Sequence, residues 1–462
     1  AKYDAYERRG LLSHAKREVM MHELFPYEAD FLIIGGGIVG SSVAWWLKQR
    51  LRDEDLSVVV VENDDTFKRS STILAAGGIR QQFSIPENVE MSMFTAEFLR
   101  NAGEHLQILD NDPPDVNVLP MGYLFLASTE EGAETMKKNW RMQTGLGAKV
   151  ALLNKEELKL RFPFMNFDDV VMGSFGLENE GAIDPWQLLS AIREKNITLG
   201  VQYIKGDVEG FMFTKPHGFQ ESHGFVDDEE ADDANYRMRR MSGVYVRPQM
   251  TDASPRPIRA YTIVNAAGPW AGKVAAMAGI GKGKGLLSIP LPVEPRKRYV
   301  YVVHVPDGPA IDMPFLIDPS GVYCRQEDVG HTYICGSSPT MEEDGLIDHS
   351  NLDVDYDYFY EKIWPVLAKR IPAFEKLKVK SAWAGYYDYN TFDQNAFIGP
   401  HLVYDNFFQV NGFSGHGLQH AIAAGRGLME RFYDGAYTSI NMRKFDMRRL
   451  VKNAKLEEDG IV

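Results

Sequence analysis

Three glycines, Gly35, Gly37 and Gly40, are spaced as G-x-G-x-x-G directly after the apolar run FLII and before a stretch with helical spacing. That arrangement suits a diphosphate. The first glycine permits a tight turn, the second lets backbone approach the ligand, and the third lets helix and strand pack closely. Ile38 and Val39 lie between the second and third, where free N–H groups and the helix dipole favour negative charge. The strand SVVVV then runs into Glu62 and Asn63. A carboxylate there accepts hydrogen bonds from both ribose hydroxyls of an adenosine and repels a 2′-phosphate. A competing reading takes the uncharged run Phe31 to Leu47 as a membrane span. A bilayer crossing needs about 20 apolar residues, and each glycine in a helix interior costs roughly 1 kcal/mol. Strand, glycines, helix, strand and acid in that order argue for a bound dinucleotide and against the span.

Two later segments favour FAD over NAD. RAYTIVNAAGPWAG is an apolar strand ending in Ala267 and Gly268, small enough for backbone to approach a cofactor. NGFSGHGLQHAIAAGR places Gly412, Gly415 and Gly417 before an alanine-rich helix, whose N-terminus can meet a second polar group. An NAD enzyme needs one such mouth, whereas an extended FAD uses two. His416, inside the second cluster, is the candidate polar group beside a flavin ring, either stabilising charge as imidazolium or satisfying backbone as neutral imidazole.

These residues must be positioned by a sizeable chain. Its 462 residues, 44% hydrophobic and 25% charged, suit a soluble two-lobed protein. The formal net charge of −14 argues against a nucleic-acid partner. Cys324 and Cys335 match no metal spacing, and no metal site is expected. The chain opens at Ala1, as left by processing or cloning, and residues 1–25 read as an amphipathic lead-in rather than a transit peptide. Strands and helices alternate early, a strand-like aromatic block fills 291–347, and a solvated loop with the acidic run 226–233 separates two later strands. The tail after Asn441 is basic and polar and is expected to be a surface helix.

The ordered set DFLIIGGGIVGSSVAWWL, VVVVEND, SSTILAAGGIRQQFS, MGYLFLA, EGAIDPWQLLSAI, IVNAAGPWAG and NGFSGHGLQHAIAAGR resembles the D-amino-acid oxidase superfamily, within it the sarcosine oxidase and dimethylglycine dehydrogenase group. The resemblance spans about Asp30 to Gly435. It implies an α/β fold: a doubly wound, Rossmann-type FAD-binding domain interleaved with an antiparallel-sheet substrate domain. The implied division is 1–29 as an extension; 30–125, 185–290 and 380–436 as the FAD-binding part; 126–184 and 291–379 as the substrate part; and 437–462 as a tail. It places Ser70 and Ser71 beside the middle of the flavin, Ala267 and Gly268 near the cofactor, and Gly412 to Gly417 at the isoalloxazine edge.

In such relatives two basic residues clamp the substrate carboxylate. Arg80 stands at the first position, where a planar guanidinium suits bidentate binding. At the second, Gln419 replaces the relatives' lysine. Relatives that tether FAD use a His near the flavin loop or a Cys before the final glycines; neither is present, so FAD is expected to be non-covalent. The implied chemistry is oxidation of a small secondary or N-methylated amino acid. A mitochondrial branch of the superfamily, similar in AGGIRQQFSIPEN and SGHGLQHA, implies a competing role, assembly or stabilisation of respiratory complex I with FAD as structural cement. Subunits or assembly intermediates of that complex would be the partners, at the matrix or peripheral to the inner membrane, with no transmembrane segment. The missing lysine and tether favour the assembly role, with the acidic run and the first 25 residues as docking surfaces.

Overall fold

The computed structural model describes residues 25–52, 54–214, 221–223, 240–249, 253–310 and 312–459. The acidic run 226–233 and residues 1–24 of the lead-in lie outside them.

FLII forms the buried end of strand β1 (Glu28–Ile34), which has a parallel neighbour on each side. Leu32 faces Val59 of β2 (Val58–Glu62) and Ile263 of the strand Arg256–Asn265. Covered on both faces, these strands read as continuous aliphatic runs rather than alternating ones. Helix α1 (Ile38–Arg50) starts at once after the glycine turn. It crosses the long helix Gly417–Tyr433 closely enough that a Cβ on Gly425 would stand 2.4 Å from Ser42 Oγ.

The parallel block continues through Phe407–Asn411 on one side and the start of Gln202–Thr214 on the other. The far part of Gln202–Thr214 pairs antiparallel with Arg240–Pro248, which folds back onto the beginning of Arg256–Asn265. The first eight-stranded sheet is therefore mixed.

The second eight-stranded sheet runs Lys378–Asn390, Val293–His304, Thr332–Ser337, Val322–Asp328, Phe315–Ile317, Tyr123–Ala127, Met172–Gly176, Val150–Asn154. It is antiparallel except where Phe315–Ile317 meets Tyr123–Ala127. The aromatic block 291–347 thus forms strands of an antiparallel sheet, as its composition suggests. Two placements differ from the sequence reading. Tyr123–Ala127 and Lys378–Asn390, assigned wholly or mostly to the FAD-binding part, both pair in the second sheet. Lys378–Asn390 alternates residues toward both lobes, so its pattern does not reveal which sheet it joins. The strand is also the bridge between them: it pairs with Val293–His304, while its Asp388 and Asn390 bond the Gly412–Ser414 loop of the first lobe.

Candidate cofactor and active site

The glycines after β1 shape the backbone by what they exclude. Gly35 has φ +105, and a Cβ on it would lie 2.2 Å from Ala266 O. One on Gly40 would lie 2.0 Å from Gly35 O. At Gly37, the residue before α1, the nearest atom would be Thr72 Oγ1 at 3.2 Å, so this face is the open one. The first N–H of α1, on Ile38, donates to Thr72 Oγ1 at 3.2 Å.

A cavity of about 460 Å³ runs along these elements. Glu62 and Asn63 line it from β2, with Ile38 and Val39 from α1. Burial raises the Glu62 carboxyl above its ordinary value, against the N–H groups of Asp64 and Gly36 that donate to it at 2.9 and 2.7 Å. Ser70 and Ser71 line the middle, Ser71 donating to Tyr386 O and Ser70 accepting from Thr72 N–H at 3.2 Å. Opposite are Ala267 and Gly268, the latter at φ +52. The Arg69 guanidinium stacks 5.2 Å from the Trp270 ring at the same wall. The second glycine cluster closes the cavity with Gly415, Gly417 and Leu418, facing Tyr387 and Asp388 of the bridging strand. Gly412 shapes this loop from outside the lining: its φ is +76, and a Cβ would come 2.9 Å from Val293 Cγ2.

The cavity therefore joins both glycine clusters in one space. Its walls are glycine where side chains would intrude, and it has a carboxylate at one end and the start of a long helix at the other. These residues fit FAD: Glu62 for the adenosine ribose, the α1 N-terminus for the diphosphate, and Gly415–Leu418 for the flavin ring.

Buried Arg80 and Gln419 and half-buried His416 form a separate cluster that does not line this cavity. Arg80 N–H donates to Gln419 Oε1 at 2.9 Å, and Arg80 Nη2 lies 3.0 Å from His416 Nε2. A guanidinium only donates, so this contact uses the lone pair of a neutral imidazole rather than an imidazolium. The guanidinium also packs on the rings of Phe83 at 4.8 Å and Phe125 at 5.1 Å. Burial lowers its pKa, opposed by the nearby Tyr123, Glu458, Glu180 and Tyr387. The expected carboxylate clamp of Arg80 and Gln419 thus has its two members bonded to each other, Gln419 fixing the arginine's backbone. Phe83 packs against the cluster as well, under the guanidinium at 4.8 Å and with His416 edge-on at 5.2 Å.

Several site residues escaped the sequence reading. Thr72 caps α1 from a loop that carries no helix signal. Arg69 and Trp270 meet only through tertiary packing. Tyr387 lies in the aromatic run YYDYNTF, which its composition offers as a pocket wall, but the lone acid of that run, Asp388, carries no separate signal. Asp388 Oδ2 accepts from Phe413 N–H at 3.0 Å, and burial pushes its carboxyl up to about 6. Glu180, behind the Arg80 loop, accepts from Gln81 N–H at 2.7 Å and Gln82 Nε2 at 2.9 Å and is pushed up to about 7 by burial.

Comparison with known proteins matches this geometry. The profile of the FAD dependent oxidoreductase family, DAO, matches residues 30–431. FAD-dependent oxidoreductase domain-containing protein 1 of Xenopus laevis is 49% identical over 95% of this chain and 86% of its own. Human mitochondrial sarcosine dehydrogenase is 24% identical over 92% of this chain and 42% of its own. Among solved structures, L-proline dehydrogenase from P. horikoshii superposes with TM-score 0.72 at 25% identity, covering 94% of this chain and all of that one. On the family profile and the extent of these matches, the chain belongs to the FAD-dependent oxidoreductases of the DAO family.

Proposed function

We propose that this protein binds FAD non-covalently and oxidises a small secondary or N-methylated amino acid. The observation that carries the reading is the single cavity joining Glu62 to the Gly415–Leu418 helix start, with its ring end walled by Tyr387 and Asp388 of the second sheet. Bound FAD supplies the acceptor for a hydride from the carbon beside the amine nitrogen. The chain orients that carbon, excludes water, and holds the amine as a free base. The imine product then hydrolyses in water. Non-covalent binding is supported by the lining: among the described residues it contains neither Cys nor His, and both cysteines are buried in the other core. The substrate class is supported by the names of relatives that act on sarcosine and L-proline.

The test is amine-dependent reduction of a dye acceptor by the purified holoprotein, with sarcosine, dimethylglycine and L-proline compared. Turnover with at least one, together with its carbonyl or imine product, is expected. No turnover with any secondary amino acid removes the reading.

A second reading is favoured by one observation: Gln419 Oε1 accepts the Arg80 backbone N–H, and neither residue lines the cavity. In it the protein serves assembly or stabilisation of respiratory complex I in mitochondria, with FAD as a structural ligand. The mitochondrial setting is supported by the names of the sarcosine and dimethylglycine dehydrogenase relatives. Cells lacking the protein would lose complex I, and a variant that keeps FAD but cannot turn over would restore it. Restoration only by an active enzyme would return the weight to catalysis.

A further inference from the structure

Most of the fold's buried acids are paired with cations, and Glu180, which is not, is held by Gln81 and Gln82. Asp344 meets Arg298, Asp318 meets Arg370 at 2.9 Å, and Asp393 meets Arg449 at 2.7 Å. Asp388 is different. Its residue is 7% exposed, and among the described residues no lysine or arginine nitrogen lies within ion-pair distance of its carboxylate. It nevertheless lines the ring end of the cofactor cavity.

The loop around it is built to hold it there. Asp388 Oδ2 accepts from Phe413 N–H, Asp388 O accepts from Ser414 N–H at 3.2 Å, and Asn390 N–H donates to Ser414 Oγ at 2.9 Å. Gly412, Ser414 and Gly415 all have left-handed φ, at +76, +49 and +99, which curls this backbone around the carboxylate. A left-handed conformation at a residue other than glycine carries strain that the surrounding structure must hold in place. A buried anion without a counter-charge is costly, and a cationic ligand in the adjoining space offsets that cost.

We propose that Asp388 receives the positively charged amine of the substrate and takes its proton. This rests on the amino-acid oxidation proposed above. In this step an N–H bond of the ammonium breaks and an O–H bond forms on Asp388. The nitrogen is left with the lone pair that becomes the C=N bond as the neighbouring carbon gives up hydride. The other ionisable groups around the cavity do not serve this role. Tyr387, next in the strand, is held protonated by burial. Arg69 is stacked on Trp270 and Tyr386, Lys273 is a cation on the opposite wall, and Glu62, Asp64 and Asp207 line the region of β2 rather than that of Gly415. His416, at the start of the long helix, is turned to Arg80.

The probe is glycine betaine, a fixed cation with a carboxylate and no N–H, titrated into flavin-loaded protein while the visible flavin bands are followed. Wild type should bind it about tenfold more weakly at pH 5 than at pH 7, because a carboxyl held near 6 passes from mostly ionised to mostly neutral over that range. Asp388→Asn should bind about tenfold more weakly than wild type at pH 7 and show no pH dependence. Its anaerobic flavin reduction by L-proline should slow about 10²-fold, as expected for loss of a general base. Equal affinity in the two proteins, a flat wild-type pH profile, or no binding by wild type overturns the proposal. Should Asp388→Asn fail to retain flavin, the wild-type pH series alone decides it. Asp388-dependent betaine binding without reduction by any amine would leave the amine site standing and remove the oxidation reading.

Discussion

One added methyl group at Gly40 would stand 2.0 Å from Gly35 O, a backbone atom that cannot move without opening the turn under the diphosphate. Gly40→Ala should therefore yield folded protein without visible flavin bands, destabilised by about 1–3 kcal/mol from overpacking. Retention of full flavin content would contradict the assignment of this turn to the cofactor. Glu180 shows the same reasoning applied to a proton. Its burial raises the carboxyl from an ordinary value of 4.5 to about 7, so between these values the folded chain keeps a proton that the unfolded chain has lost. Stability from this group is then present below 4.5 and falls as pH rises through 7, by about 3 kcal/mol at 1.36 kcal/mol per pH unit of difference. Glu180→Gln should flatten that part of the stability profile, read as denaturant midpoints from pH 4.5 to 8. An unchanged slope would mean that Glu180 is not the group responsible. At this scale the tight turn of Gly35 and Gly40 and the place of Glu62 on the cavity were legible, because a strand that turns at once into a helix admits few residue types. Asp388, Thr72 and Glu180 were not. Each gains its role from a partner distant in the chain, as when Glu180 accepts from Gln81 and Gln82.

At the scale of elements, the βαβ start and the final helix follow directly from aliphatic runs and glycine punctuation. The strand Lys378–Asn390 was harder to place, because it serves both lobes and its aromatic residues pack on either side. The tail, expected as a surface helix, instead makes two short turns, Met442–Phe445 and Arg448–Val451, that bury Met442, Phe445 and Arg449. Arg449, in the short helix Arg448–Val451, grips Asp393 with two nitrogens, at 2.7 and 3.0 Å, and packs 4.0 Å over Phe397. Beyond it, Glu458 accepts from Ser84 and Asn88 at the start of the helix Pro86–Arg100, and Asn139 of the helix Glu130–Gly145 donates to Asp459 O at 2.9 Å. The tail is thus a strap tying the loop after Lys378–Asn390 to helices near both sheets. Arg449→Ala leaves a buried carboxylate without its cation and should cost about 3–5 kcal/mol, seen as a lower denaturant midpoint. A change below 1 kcal/mol, the scale of an exposed ion pair, would contradict the strap's role.

For the whole molecule, the chain passes between two sheets repeatedly rather than finishing one lobe before the next, and the cofactor cavity lies where the lobes meet. That interleaving defeats a division read along the sequence, although the mixed α/β class and the antiparallel second sheet were legible from pattern. Among the described residues no helix is long and apolar enough to cross a membrane. Function turns on whether the cavity holds an FAD that an amino acid can reduce. The most direct measurement is the anaerobic absorption spectrum of the purified protein before and after sarcosine, dimethylglycine or L-proline is added. Flavin bands that bleach with at least one of these, and a flavin released intact on denaturation, are the expected result. Flavin bands that stay oxidised with every amine would contradict it.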